Sequence, residues 1–148
     1  MDSGYWFKST KFEIEKCEDE ETNPGCYGKQ LAFWLSEEFT KLGYETDIIP
    51  EDWGWCVMCE SNGYLLWIGC GSMQDEKHLV NYQEVNPPKG SEVVWHTFPV
   101  IEVPFFNVKT LIKKWVGKLD LKAPLTKIDS ELQNLLSSEV KIELCEEP

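Results

Sequence analysis

A chain of 148 residues with seven Trp, seven Phe and five Tyr is large enough to bury a core of its own and too aromatic for a disordered segment. Its net charge is −12 and it contains no Arg, which argues against direct nucleic-acid binding, since readers of phosphate lean on the bidentate guanidinium. The acidity is lopsided: residues 1–76 hold sixteen Asp or Glu against five Lys, and residues 77–148 hold ten against nine.

From Tyr5 to Glu15 the residues alternate, with Trp6, Phe12 and Ile14 on one side and Phe7, Lys11, Glu13 and Glu15 on the other, which predicts a strand with one wet face. The run Glu18-Asp19-Glu20-Glu21 has no apolar partner, so 17–22 is expected to be a solvated acidic loop whose charge suits the N-terminal dipole of the next helix. That helix is bounded by Asn23-Pro24 as cap and first-turn proline and by Gly43 as stop, with Leu31, Trp34, Leu35, Phe39 and Leu42 at helical spacing. Tyr44 to Ile49 reads as a short strand.

Pro50 to Met73 reads as a β-hairpin, because Asn62-Gly63 suits a two-residue turn whose central positions need positive φ. That turn sets Ser61 opposite Tyr64, and the register follows. Cys59 then faces Leu66, Val57 faces Ile68 and Trp55 faces Cys70 on a core face. Met58 faces Trp67, Cys56 faces Gly69 and Gly54 faces Gly71 on the other, where nearly bare backbone predicts a close neighbour: a helix, another aromatic ring or a ligand.

The pattern fades from Gln74 to Ser91, and 86–91 is a Pro/Gly loop. Glu92 to Val103 is a strand with two apolar faces, hence central, with Pro99 and Pro104 at a bulge or at strand ends. Asn107 caps a helix carrying Val108, Leu111, Ile112, Trp115 and Val116, and Pro124 opens another carrying Leu125, Ile128, Leu132, Leu135 and Leu136. Val140, Ile142 and Leu144 alternate with Lys141, Glu143 and Cys145 in a closing strand. The expected fold is α+β, one domain over 1–148, with a mostly antiparallel sheet of five or six strands and three helices.

Trp55-Cys56-Val57-Met58-Cys59 carries a Cys-x-x-Cys, but odd spacing within a strand sends the two thiols to opposite faces, whereas redox chemistry wants the first at a helix N-terminus. Reduced, structural thiols are expected. A zinc site would need four converging ligands, and Cys56, Cys59, Cys70, His78 and His96 do not supply them in paired turns, so no metal and no cofactor is expected. No nucleophile elbow or phosphate cradle is present, and no catalytic residue is assigned. No apolar run approaches the roughly 20 residues of a membrane span. No charged-then-apolar leader precedes Tyr5, so a cytoplasmic location is expected.

Several strings, Tyr5-Trp6-Phe7-Lys8-Ser9, Asp19 to Gly25, Tyr27 to Ala32, Glu51 to Cys59, Trp67 to Gly71, Glu92 to His96 and Glu102 to Phe106, resemble a family of uncharacterised bacterial proteins of about this length. Glu51-Asp52-Trp53-Gly54-Trp55 is the most specific of them. Cys26 departs from the basic residue that family tends to carry after its Pro-Gly. The resemblance implies one domain and a bacterial cytosolic setting, and it brings no activity with it.

The leading functional expectation is a non-enzymatic, acidic protein-binding module that takes a basic protein partner, in the manner of an immunity protein, with no role for nucleic acid or membrane. Its candidate surface is the second hairpin face, Met58, Trp67, Gly54, Gly69 and Gly71, rimmed by Glu51, Asp52 and Glu60. The alternative is an enzyme or small-molecule binder using a cleft near Glu51, Asp52, Trp53 and His96.

Overall fold

The computed structural model describes residues 4–61, 63–73, 87–103 and 120–148. Six strands, β1 (Tyr5–Ser9), β2 (Asp47–Glu51), β3 (Gly54–Glu60), β4 (Leu65–Ser72), β5 (Trp95–Glu102) and β6 (Ile142–Cys145), form one sheet in the order β2-β3-β4-β5-β1-β6. All neighbouring strands are antiparallel. The described residues hold two α-helices, α1 (Lys29–Lys41) and α2 (Lys122–Ser138), rather than three. The helix expected at 107–118 lies outside the described residues, as do most of the faded stretch from Gln74 and the candidate ligand His78.

Both helices lie on one side of the sheet. Leu31, Leu35 and Phe39 of α1 recur every four residues, as do Ile128, Leu132 and Leu136 of α2, so each helix presents one apolar stripe. These stripes close on Phe7, Trp55, Val57, Cys59, Leu66, Ile68, Cys70 and Trp95 in a single core. Each buried Val, Leu, Ile or Phe side chain among them contributes about 1.5–3 kcal/mol of transfer free energy. α1 covers β2 to β4 and α2 covers β5 and β6.

The hairpin register matches expectation through its core: Trp55 pairs with Cys70, Cys56 with Gly69, Val57 with Ile68 and Met58 with Trp67. It departs from expectation near the turn. Cys59 is the extra residue of a β-bulge, so Leu66 faces Glu60 instead of Cys59, and the strands are joined by residues 61–64. β5 is central, as its two apolar faces required. β1 pairs only with Trp95 to Thr97, so among the described residues Pro99 sits beyond that pairing, where its missing N–H costs no ladder bond.

The expected strand from Tyr5 to Glu15 is corrected to Tyr5–Ser9. Ser9 ends it by accepting from Lys11 N–H and donating to the Lys141 carbonyl, and Phe12 enters the core from the following loop, on the same side as Phe7. The next strand starts at Asp47, later than expected, and it tolerates Pro50 because β2 is an edge strand. α1 starts at Lys29, not at Pro24. Asp120, unrecognised in the sequence, accepts from Lys122 and Ala123 N–H and starts α2, with Pro124 inside its first turn.

The largest correction concerns the acidic run. Glu18 and Asp19 are 2% and 5% exposed, so the run expected to be solvated is buried at these two acids, while Cys17, Glu20 and Glu21 are exposed. Glu18 Oε1 accepts from Gly28 N–H at 3.0 Å and Lys29 N–H at 3.5 Å, its Oε2 accepts from Glu15 N–H at 2.9 Å, and Asp19 accepts from Gly25 N–H. The carboxylate thus takes the orphan donors at the start of α1, ten residues away in sequence. Gly28 must be bare there, because a Cβ would come within 2.5 Å of the Cys70 carbonyl.

Candidate functional site

The side of the sheet away from α1 and α2 carries a chain of aromatic rings, contributed by residues that alternate with core residues on their strands. Trp6 of β1 lies directly opposite His96 of β5, and the two rings stack with centroids 3.8 Å apart and planes within 3°. His96 is next to Phe98 at 4.9 Å. Phe98 in turn meets Trp67 of β4 at 6.0 Å and Trp53, from the turn between β2 and β3, at 5.6 Å. Trp53 and Trp67 stack at 5.9 Å and close the group.

Gly69 makes this arrangement possible. It pairs with Phe98, and the phenyl ring occupies the space in which a Gly69 side chain would stand. The close neighbour anticipated over the glycine strip is therefore, at this position, another aromatic ring. Gly54 is bare for a different reason: its Cβ would meet the Cys70 carbonyl at 2.5 Å. Gly71 meets nothing nearer than the Trp53 carbonyl at 3.6 Å and is in ordinary contact.

Acids surround the cluster. Trp67 donates its indole N–H to Glu102 at 3.2 Å. Glu51 pairs with Gly54, and Asp52 is exposed beside Trp53, with its carbonyl accepting from Asn23 N–H. Cys56, buried on this side, registers the local field: desolvation, reinforced by Glu51, Glu102 and Asp47, pushes its thiol up to about 12. Trp53 is 39% exposed, while Met58, Trp67, His96 and Phe98 are half-buried. The Trp6 indole N–H is buried without an acceptor among the described residues.

Of the residues singled out in the sequence, Met58, Trp67, Gly54, Gly69, Gly71, Glu51 and Asp52 belong to this side or its rim. Glu60 does not join them. Shifted by the bulge, it accepts from the Tyr64 hydroxyl at 3.1 Å, and its charge adds only slightly to the rise that burial chiefly imposes on the Cys59 thiol and the Tyr44 phenol. Trp53 and His96, assigned to the alternative cleft, lie in the same aromatic chain, on either side of Phe98. Phe98, Trp6 and Glu102 were missed. Phe98 could have been found by asking which residue fills the gap over an in-strand glycine, but only once β4 and β5 are known to be neighbours.

The thiols of the Cys-x-x-Cys are buried, and Cys59 is also pushed up to about 12, first by desolvation. Among the described residues no group of His, Cys, Asp and Glu is placed to hold a metal ion, and no helix is long and apolar enough to cross a membrane. No family model, no curated protein and no solved structure matches this chain.

Proposed function

We propose that the protein is a non-enzymatic binding module that takes a basic partner protein on the aromatic side of its sheet. The observation that carries this reading is the cluster of Trp53, Trp67 and Phe98, mutually within 6.0 Å and backed onto Gly69, with Glu51, Asp52 and Glu102 around it. Tryptophan dominates the energetic centres of interfaces, and its ring face attracts Lys and Arg side chains, so acids around indoles favour a cationic ligand on both counts. The overall charge of −12 would add steering during encounter.

Affinity capture with the intact protein, followed by mass spectrometry, tests the reading. A basic protein retained at low salt, released as ionic strength rises and lost with Trp67→Ala is the expected result. Equal capture by a folded Trp67→Ala variant excludes this surface. A second reading, a small-molecule binder, is favoured by the placing of Trp53 and His96 against one ring, Phe98. It predicts a ligand whose affinity changes little with salt.

A further inference from the structure

Three aromatic rings elsewhere in the chain share one arrangement. Lys11 Nζ lies 5.4 Å from the centre of the Trp34 ring and 3.4 Å from the Glu139 carboxylate. Lys29 Nζ lies 5.7 Å from the Trp55 ring and 3.6 Å from both Glu15 and Glu21. Lys127 Nζ lies 5.3 Å from the Tyr44 ring and 3.8 Å from Glu131. Each time one ammonium serves both the negative face of an electron-rich ring and a carboxylate beside it.

The aromatic side of the sheet has the ring and the acids of such a set but not the cation. Trp53 is 39% exposed, with Trp67 and Phe98 as its ring neighbours. Asp47 and Glu51 lie on this side of β2, because they pair with Met58 and Gly54, and Glu102 lies on it from β5, where it holds the Trp67 indole. Asp47, Glu51 and Glu102 all add to the rise of the Cys56 thiol, so their negative fields overlap on this side. Among the described residues Glu51, Asp52 and Glu102 form no ion pair, and no lysine lies over Trp53, Trp67 or Phe98.

We propose that the partner completes this fourth set with one side-chain cation, an ammonium or guanidinium, laid over the open face of Trp53 and against the carboxylates of Glu51 and Asp52. This anchor rests on the reading of the aromatic side as the binding surface. It gives the two indoles different parts. Trp67 is half-buried with its N–H committed to Glu102, so it supports the ring of Trp53 from within. Trp53 stands in the turn between β2 and β3, presents the exposed ring and touches the cation.

The test is a titration of octalysine, and separately of octaarginine, into the full chain at about 0.15 M salt, where distant charges are screened. The indole N–H resonances of the seven tryptophans report the site. Trp53 should move most and Trp67 with it, while Trp34 and Trp55, whose rings already carry Lys11 and Lys29, stay in place. Trp53→Leu should weaken binding about fivefold, as loss of an exposed cation–ring contact requires. Glu51→Gln/Asp52→Asn, which leaves every ring intact, should weaken it as well and decides the matter if Trp53→Leu does not fold. Octalysine acetylated on every ammonium should leave Trp53 unmoved. Either peptide behaving in this way supports the anchor, and the tighter one names the residue that supplies it. No binding of either peptide, equal affinity of the wild type and the variants, or an equal response to the acetylated peptide would each overturn it. Capture of a basic partner that needs Trp67 but not Trp53, Glu51 or Asp52 would also overturn the anchor, while leaving the binding surface itself in place.

Discussion

Replacing Glu18 sets two effects of opposite sign against each other. Its carboxylate holds three backbone N–H groups, at Glu15, Gly28 and Lys29, and bonds of this charge-assisted kind contribute about 1.5–3 kcal/mol each when well formed. The Lys29 bond, at 3.5 Å, is at the limit of reach and contributes least. Against these stands the desolvation of a carboxylate that is 2% exposed. Desolvation wins over the hydrogen bonds in setting the proton affinity, so the Glu18 carboxyl is raised from its ordinary value, with the Glu15 charge adding to the rise.

Glu18→Ala should therefore cost about 2–3 kcal/mol at neutral pH, the two good bonds less the relief of a buried charge. Glu18→Gln, which keeps an acceptor for Gly28 N–H but turns an amide toward Glu15 N–H in one rotamer, should cost about half as much. The sign with pH follows from linkage. Because the folded carboxyl binds its proton more tightly than the unfolded one, its contribution is complete below the unfolded value and lost as pH rises through the raised folded value. Urea unfolding of wild type and Glu18→Gln at several pH values between 4 and 7 would measure it. On acidification wild type should gain stability relative to Glu18→Gln. If it loses stability relative to Glu18→Gln instead, the helix N-terminus outweighs burial and the reasoning fails.

Trp55→Ala removes a large side chain from the centre of the core, where it packs with Val57, Ile68 and Cys70, and should cost about 3–5 kcal/mol, read as a lower melting temperature. Cys56 and Cys59 should resist alkylation at neutral pH in the native protein while exposed Cys17 and Cys145 react first, as peptide mapping after a short iodoacetamide pulse would report. Rapid labelling of Cys56 would contradict the burial described. Gly69→Ala would drive a methyl group into the Phe98 ring and should both destabilise the fold by about 1–3 kcal/mol and disturb the Trp53 and Trp67 fluorescence. Unchanged emission would mean that Phe98 does not rest on Gly69.

Much of the fold could be read in the sequence where local pattern and burial agree. The hairpin register from Trp55–Cys70 to Met58–Trp67 is such a case, because a slip of one residue would turn Trp55 and Val57 out of the core. At the turn end Cys59 and Leu66 are both buried as expected but do not pair, because the bulge at Cys59 keeps each in the core while Glu60 takes the place opposite Leu66. The acidic run was misread for a different reason. A string of four acids is scored by its neighbours in sequence, whereas Glu18 is buried by donors on Gly28 and Lys29 that arrive only when α1 docks on β3 and β4. The candidate site divides in the same way. Trp67, Met58 and the glycines follow from the hairpin alone, but Phe98 and Trp6 join them only through the order β4-β5-β1, which no local spacing encodes.

The most direct test of the binding surface is an isothermal titration of the captured basic partner into wild type and into Trp67→Ala, each at two salt concentrations, alongside their melting temperatures. Trp67→Ala should melt close to wild type, because the ring lies on the side away from both helices, and should bind at least about 30-fold more weakly, as loss of an interface centre worth about 2 kcal/mol requires. Binding by wild type should also weaken as salt rises. Equal affinity of the two proteins, or a Trp67→Ala chain that no longer folds, would contradict the assignment of this side of the sheet to a partner.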